Sequence, residues 1–281
     1  MKDLNLFKKI IERELELMRR GPRSSRYKAD DVHVLRVAAL RTGFALKFFG
    51  RLRETGGMEK TMTRLKEARR VMGEARNFDI LLTRVKRYLE DLNESPSRRK
   101  EIVGSIQSRR AASHRAYEAM LKSPRYAAIL QEMESIKDRH VPQDLPGIIK
   151  GPFKKTLAGL LKYRRKQIHP RDLHKIRIAF KKLRYACSFL EDIEPALQET
   201  QKFIENFQDL LGERQDAIAS VDLLSGFDRK QMSGIIGREK ALIKDYRRRF
   251  ENLWKKSFLK SSKIEGLYGW SRHYPLIFMS F

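Results

Sequence analysis

Two stretches constrain the fold more than anything else in the chain. In LHKIRIAFKKLRYACSFL, residues 173–190, the apolar side chains Leu173, Ile176, Phe180, Leu183, Cys187 and Leu190 are spaced 3, 4, 3, 4 and 3 apart. Successive helical residues turn about 100° around the axis, so this spacing draws one narrow apolar seam along a helix, of the kind that packs against other helices. VHVLRVAALRTGFALKFF, residues 32–49, carries the same seam at Val32, Leu35, Ala39, Thr42, Leu46 and Phe49. No stretch shows the sustained alternation a half-buried strand needs, so the expected fold class is all-α.

Turn signals divide the chain into helices at about 3–20, 29–53, 58–92, 97–122, 125–139, 152–167, 171–192, 195–225 and 229–261. Ser95-Pro96 and Ser123-Pro124 each offer an N-cap followed by proline at the first helical position. Gly226 ends one helix and Asp228 caps the next. The segment RHVPQDLPGIIKGP, with three prolines and two glycines, reads as a linker over 139–152.

The helices on either side of that linker resemble each other. His33 aligns with His174, Arg36 with Arg177, Val37 with Ile178, Phe44 with Tyr185 and Phe48 with Phe189, without a gap. A second landmark follows in VMGEARNFD and LLGERQDA: Gly73 lies 40 residues after His33, and Gly212 lies 38 after His174. The spacing predicts a duplicated unit of long antiparallel helices, two four-helix bundles in one domain spanning 1–281. The first repeat covers 1–124, an extra helix and linker 125–151, the second repeat 152–262 and a tail 263–281.

Beside the seam of the second copy runs a second stripe. His174, Arg177, Lys181 and Arg184 step 3, 4 and 3, one residue out of phase with the apolar row, and Lys182 adjoins them. They fill an arc of roughly 80°, centred about 110° from the seam, over about 15 Å. Like charges at these spacings repel, and this stripe contains no acid to relieve them. The first copy is thinner: His33 and Arg36 remain and Lys47 extends the line, Arg41 stands to one side, and Leu40 and Gly43 occupy the positions of Lys181 and Arg184. Outside the stripes lie smaller basic clusters, Arg109 and Arg110 with Arg115, Lys162 to Lys166, and Arg247 to Arg249. Of these, Arg110, Arg115 and Arg247 are further candidate anion contacts, as Arg41 and Lys182 are beside the stripes. A charge run on a helix is commonly just a solvated face. Two rows with histidine and arginine at matched phase, in a chain with 61 Lys+Arg against 35 Asp+Glu and a formal charge of +26, favour a polyanionic partner instead.

The remaining composition narrows the class. The single cysteine, Cys187, rules out an intrachain disulfide and any multi-cysteine zinc site, and its place on the seam makes it a small core residue. Acidic residues run through the amino-terminal segment, which fits an amphipathic helix and not a signal peptide. No apolar run reaches the length of a membrane span, so no membrane insertion is expected, and a soluble cytoplasmic protein is the default. The sequence carries no signal of oligomeric state. Nothing resembles a Gly-rich phosphate loop, a nucleophile elbow or a histidine–carboxylate metal signature, so no enzyme, cofactor or metal is expected. Glu74, Asn77, Asp79, Glu213 and Asp216 could hold Mg²⁺, but pairing with arginines of neighbouring helices, as Arg76 and Arg214 after the two matched glycines suggest, explains them more simply.

VHVLRVAALR with LHKIRIAFKKLRYACSFL, MGEARNFDILL, LKSPRYAAIL and FQDLLGERQDA together resemble the CHAD family, the conserved histidine α-helical domain proteins. The resemblance implies two four-helix bundles related by a pseudo-twofold, and a basic surface that binds inorganic polyphosphate. The ligand-facing residues it implies are His33, Arg36, His174, Arg177, Lys181 and Arg184, while Leu40 and Gly43 depart from the basic positions usual in the first motif. It also makes association with polyphosphate granules an expectation. A linear polyanion has no base edges to read, so spaced cations and guanidinium forks suffice to hold it. The alternative is a nucleic-acid binder, with Tyr163, Tyr185 and Tyr246 among the basic helices. Aromatics on or beside the packing seam are poorly placed to stack on bases, which favours polyphosphate.

Three roles suit the two histidines: anion contacts, buried hydrogen-bonded groups, or metal ligands. As anion contacts they would take up protons when the polyanion binds near neutral pH, since its charge favours imidazolium. Metal ligation is poorly served, because neither helix repeats the histidine at i+4 and cations surround both.

Overall fold

Cap residues set the helix ends. The Ser95 side chain accepts a hydrogen bond from the Arg98 amide at 3.3 Å with Pro96 behind it, and the Ser123 hydroxyl accepts one from the Tyr126 amide at 3.2 Å. Asp228 Oδ1 accepts from the Gln231 amide at 2.8 Å. Each supplies an acceptor to a first-turn amide that has none within its own helix. In the computed structural model, which describes residues 6–20, 29–49, 58–137, 145–163, 168–190 and 197–258, every element is a helix. They are α1 (Leu6–Arg20), α2 (Ala29–Phe49), α3 (Met58–Asp91), α4 (Pro96–Leu121), α5 (Pro124–Lys137), α6 (Leu145–Leu161), α7 (Pro170–Leu190), α8 (Leu197–Leu224) and α9 (Arg229–Phe258). No helix among the described residues is long and apolar enough to cross a membrane.

One expected boundary is corrected. The linker read at 139–152 is helical from Leu145 onwards. Pro146 falls in the first turn, where an amide has no helical acceptor to lose, and Pro152 sits inside the helix at the loss of one i→i−4 bond. The Pro–Gly density that suggested a linker therefore marks the start of α6. Residues 50–53 of the second expected helix, most of the 162–166 basic cluster and the 263–281 tail lie outside the described residues.

Two compact units arise, one from Phe7–His140 with Asp216–Ala241, the other from Met1–Leu6, Val141–Gln215 and Leu242–Phe281. This partition by contact differs from the partition by repeat, because α8 and α9 each contribute residues to both units. In the first unit α3 packs against α2, α4 and α5. The seam of α2 is inside it, with Val32, Leu35, Ala39, Thr42 and Leu46 all buried. Arg84 of α3 grips Glu239 of α9 through two bonds, Nε to Oε1 at 2.9 Å and Nη2 to Oε2 at 3.0 Å, and both side chains are buried.

In the second unit the seam of α7 is buried throughout, Cys187 included. Phe180 stacks on Phe207 of α8 with centroids 4.8 Å apart, and Phe250 and Trp254 of α9 close the cluster at 5.9 and 6.0 Å from Phe207. Each such pair adds about 0.5–1.5 kcal/mol beyond its area burial. This aromatic layer fixes the rotation of α7, and with it the direction of the basic row.

Candidate anion-binding ridges

With its seam turned inward, α7 leaves His174 and Lys182 exposed and Arg177, Lys181 and Arg184 half-buried. The stripe has no acid of its own, but α8 supplies one. Arg184 donates through Nη1 to Gln208 Oε1 at 3.0 Å and pairs through Nη2 with Glu205 at 3.1 Å. Arg184 is thereby held in place and partly neutralised.

The sequence reading missed a further basic pair, on α8 and α9 of the same unit. Arg214 of α8 lies seven residues beyond Phe207, and Arg247 of α9 lies seven before Trp254. Seven residues are nearly two full turns, so both arginines extend the faces that carry the aromatic layer. Arg214 is half-buried, and its Nε is buried without a hydrogen bond. Burial, and then the charge of Arg247, lower its pKa below the ordinary arginine value. Arginines after the two matched glycines were expected to pair with carboxylates; Arg214 instead meets another cation. Arg247 is tied to Glu251 at 2.7 Å, its own helical neighbour. An anion placed here would relieve both the burial and the repulsion.

On α2, His33 and Lys47 are exposed and Arg36 is half-buried with its Nε inside. The Nε of Arg76, after Gly73 on α3, is buried as well. The arrangement parallels that of Arg177 and Arg214, whose Nε atoms are buried in the other unit. Both predicted histidines are exposed, which removes the reading of them as buried hydrogen-bonded groups.

Other expected contacts serve the fold. Arg41 donates from Nε to Oε1 of Glu14 at 2.7 Å. Glu14 is fully buried, and burial pushes its carboxyl up to about 7 despite Arg13 beside it. Arg110 donates from Nε to Oδ1 of buried Asp79 at 2.6 Å, and His114 Nε2 shares that oxygen at 2.9 Å. Burial alone would raise the Asp79 pKa; the bonds from His114 and Arg110 outweigh it and hold the group below the usual carboxylate range. Asp79 therefore pairs with a neighbouring helix as expected, with His114 as a partner that the sequence did not suggest. Arg109 binds the carbonyl of Gly226 and lies 4.0 Å from the centre of the Phe227 ring, closing the α8–α9 turn. Arg115 is exposed. Glu213 accepts from the Tyr246 hydroxyl at 3.3 Å. Among the described residues no group of three or more His, Cys, Asp or Glu side chains could hold a metal ion.

A family model described as the CHAD domain matches residues 9–225. Among solved structures, PptA from Streptomyces chartreusis superposes with a TM-score of 0.68 at 14% identity, covering 89% of this chain and 98% of that one. The crystal structure of the CHAD domain from the plant Ricinus communis gives 0.67 at 20% identity, covering 87% of this chain and 85% of that one. No curated protein matches the chain. At these identities the structural likeness speaks to the fold.

Proposed function

Because the chain belongs to the CHAD family, matched over residues 9–225, we propose that its basic ridges bind inorganic polyphosphate without altering it chemically. The observation that carries the reading is Arg214: a half-buried guanidinium with a buried donor that makes no hydrogen bond and a cation, Arg247, as neighbour. Such an arrangement is unfavourable in the empty protein and favourable around an anion. The row of His174, Arg177, Lys181 and Arg184 extends the anion surface along α7 by about 15 Å, a length that suits a chain of phosphates better than a single one. Arg41 and Arg110 stand outside it, since buried carboxylates hold them. Catalysis would need a convergent set of acid, base and nucleophile. The acids nearest to that role are engaged, Asp79 by Arg110 and His114 and Glu213 by Tyr246. A grip on polyphosphate would also bring the protein to cytoplasmic polyphosphate granules.

Nucleic acid is the rival ligand, since any phosphate backbone meets the same cations. Tyr163, Tyr185 and Tyr246 are half-buried, which limits them as stacking platforms. Replacing Arg177, Lys181 and Arg184 together by alanine should weaken polyphosphate binding and flatten its salt dependence while far-UV circular dichroism stays helical. A folded triple variant with unchanged binding would remove α7 from the site. RNA of equal charge that displaces polyphosphate readily would favour the rival.

A further inference from the structure

Position 43 is where the two basic rows differ most. The register that aligns His33 with His174 places Gly43 against Arg184, and the one that aligns Gly73 with Gly212 places Arg69 against Gln208 and Lys66 against Glu205. The structure shows what this exchange does within each helix pair. Between α7 and α8, Arg184 reaches from α7 to Gln208 and Glu205. Between α2 and α3 the arginine comes from the other side. A Cβ built on Gly43 would stand 3.3 Å from Nη1 and 3.9 Å from Cζ of Arg69, so the guanidinium of α3 lies across the bare backbone of α2. Glycine leaves the room; any side chain there would press on the arginine.

Arg69 is accompanied. Lys47, one turn beyond Gly43, and Lys66, one turn before Arg69, line the same open groove, floored by Phe44, Met62 and Leu65. Both lysines are exposed. The groove thus carries three cations and no acid among its lining residues. The aligned positions between α7 and α8 are Ser188, Glu205 and Gln208 beside Arg184, one cation against one acid. The half that looks weaker along its helix is locally the more positive across its helix pair.

We propose that Lys47, Lys66 and Arg69, around Gly43, form a site for consecutive phosphate groups of a linear polyphosphate, with Arg69 in the role that an arginine on α2 would otherwise fill. This rests on the polyphosphate reading above. Three permanent cations within a few ångströms of one open groove repel each other, and a chain of phosphates bridges them at once. The apolar floor places the heads at the rim, where a solvated polymer can reach them.

The test is a binding series with sodium polyphosphate of defined length, alongside inorganic phosphate. Arg69→Gln should weaken polyphosphate binding about tenfold at low salt and reduce the salt slope by about 0.7. The double variant Gly43→Arg with Arg69→Gln rebuilds the arginine–glutamine pair of α7 and α8, and should return the affinity to within about twofold of wild type. Lys47→Gln with Lys66→Gln, both exposed, should lower the slope by about 1.4 and keeps the test open if position 69 proves needed for folding. Wild-type affinity and slope in the lysine double variant would overturn this groove and leave the polyphosphate reading standing. A wild-type protein that ignores polyphosphate at low salt would overturn both.

Discussion

Replacing Arg214 with methionine is expected to stabilise the empty protein and weaken its hold on polyphosphate at the same time. Methionine keeps an apolar stem of similar length and removes the charge that burial and Arg247 disfavour. A buried donor without an acceptor costs about 1–3 kcal/mol, and for a half-buried group the lower end applies, so about 1 kcal/mol should be recovered. For a protein of this size that raises the thermal midpoint by about 2–4 °C. Loss of one phosphate-neutralising cation should reduce the slope of log K against log salt by about 0.7–0.9. The affinity lost between 50 and 200 mM salt then shrinks by about threefold. Thermal unfolding followed by circular dichroism without polyphosphate gives the first quantity, and a salt series of binding isotherms the second. A lower midpoint would show that Arg214 has a structural partner that holds the fold. An unchanged slope would show that no anion meets it. Either result refutes the argument that an unfavourable cation is kept for a ligand.

Two further predictions concern the framework that positions the ridges. Glu239→Ala should cost about 3–5 kcal/mol, because it leaves the Arg84 guanidinium buried without its bidentate partner, whereas Arg84→Met with Glu239→Leu should come within about 1 kcal/mol of wild type in urea unfolding; a single variant that loses less than about 1 kcal/mol contradicts the packing described. Glu14 ionises at about 7 when folded against 4.5 as the unfolded reference, so between those pH values the folded state binds more protons. Its contribution therefore makes stability fall as pH rises from about 4.5 to about 7. Glu14→Gln keeps an acceptor for Arg41 and should remove that fall; identical pH profiles of variant and wild type would show that burial does not govern this carboxyl.

The helical framework was legible because its signals are local. Ser95, Ser123 and Asp228 cap where their side chains predict, and the 3–4 seam of α7 is buried residue for residue. Local reasoning failed at α6, where Pro152 after Gly151 reads as a helix start although a helix tolerates one proline at the loss of a single bond. The site was legible by face and illegible by partner. Periodicity places Arg41, Arg110 and Arg184 on polar sides of their helices, but Glu14, Asp79 and Glu205 reach them from other helices whose register no single segment encodes. The same limit made Gly43 look like a missing cation, because charges were counted along one helix while Arg69 arrives from the next. Arg214 carried a faint signal in its position just after Gly212, and His114 carried none.

The most direct measurement is the affinity of the wild-type protein for long-chain polyphosphate across a salt series, with RNA of matched charge in parallel. The ridge of the second unit alone, with Arg177, Lys181, Arg184 and Arg214 each neutralising about 0.7 of a counterion's worth of phosphate, predicts a straight decline of log K with log salt of slope about −3 or steeper, with polyphosphate the tighter ligand throughout. A slope near zero, or RNA binding as tightly at every salt concentration, would contradict the account.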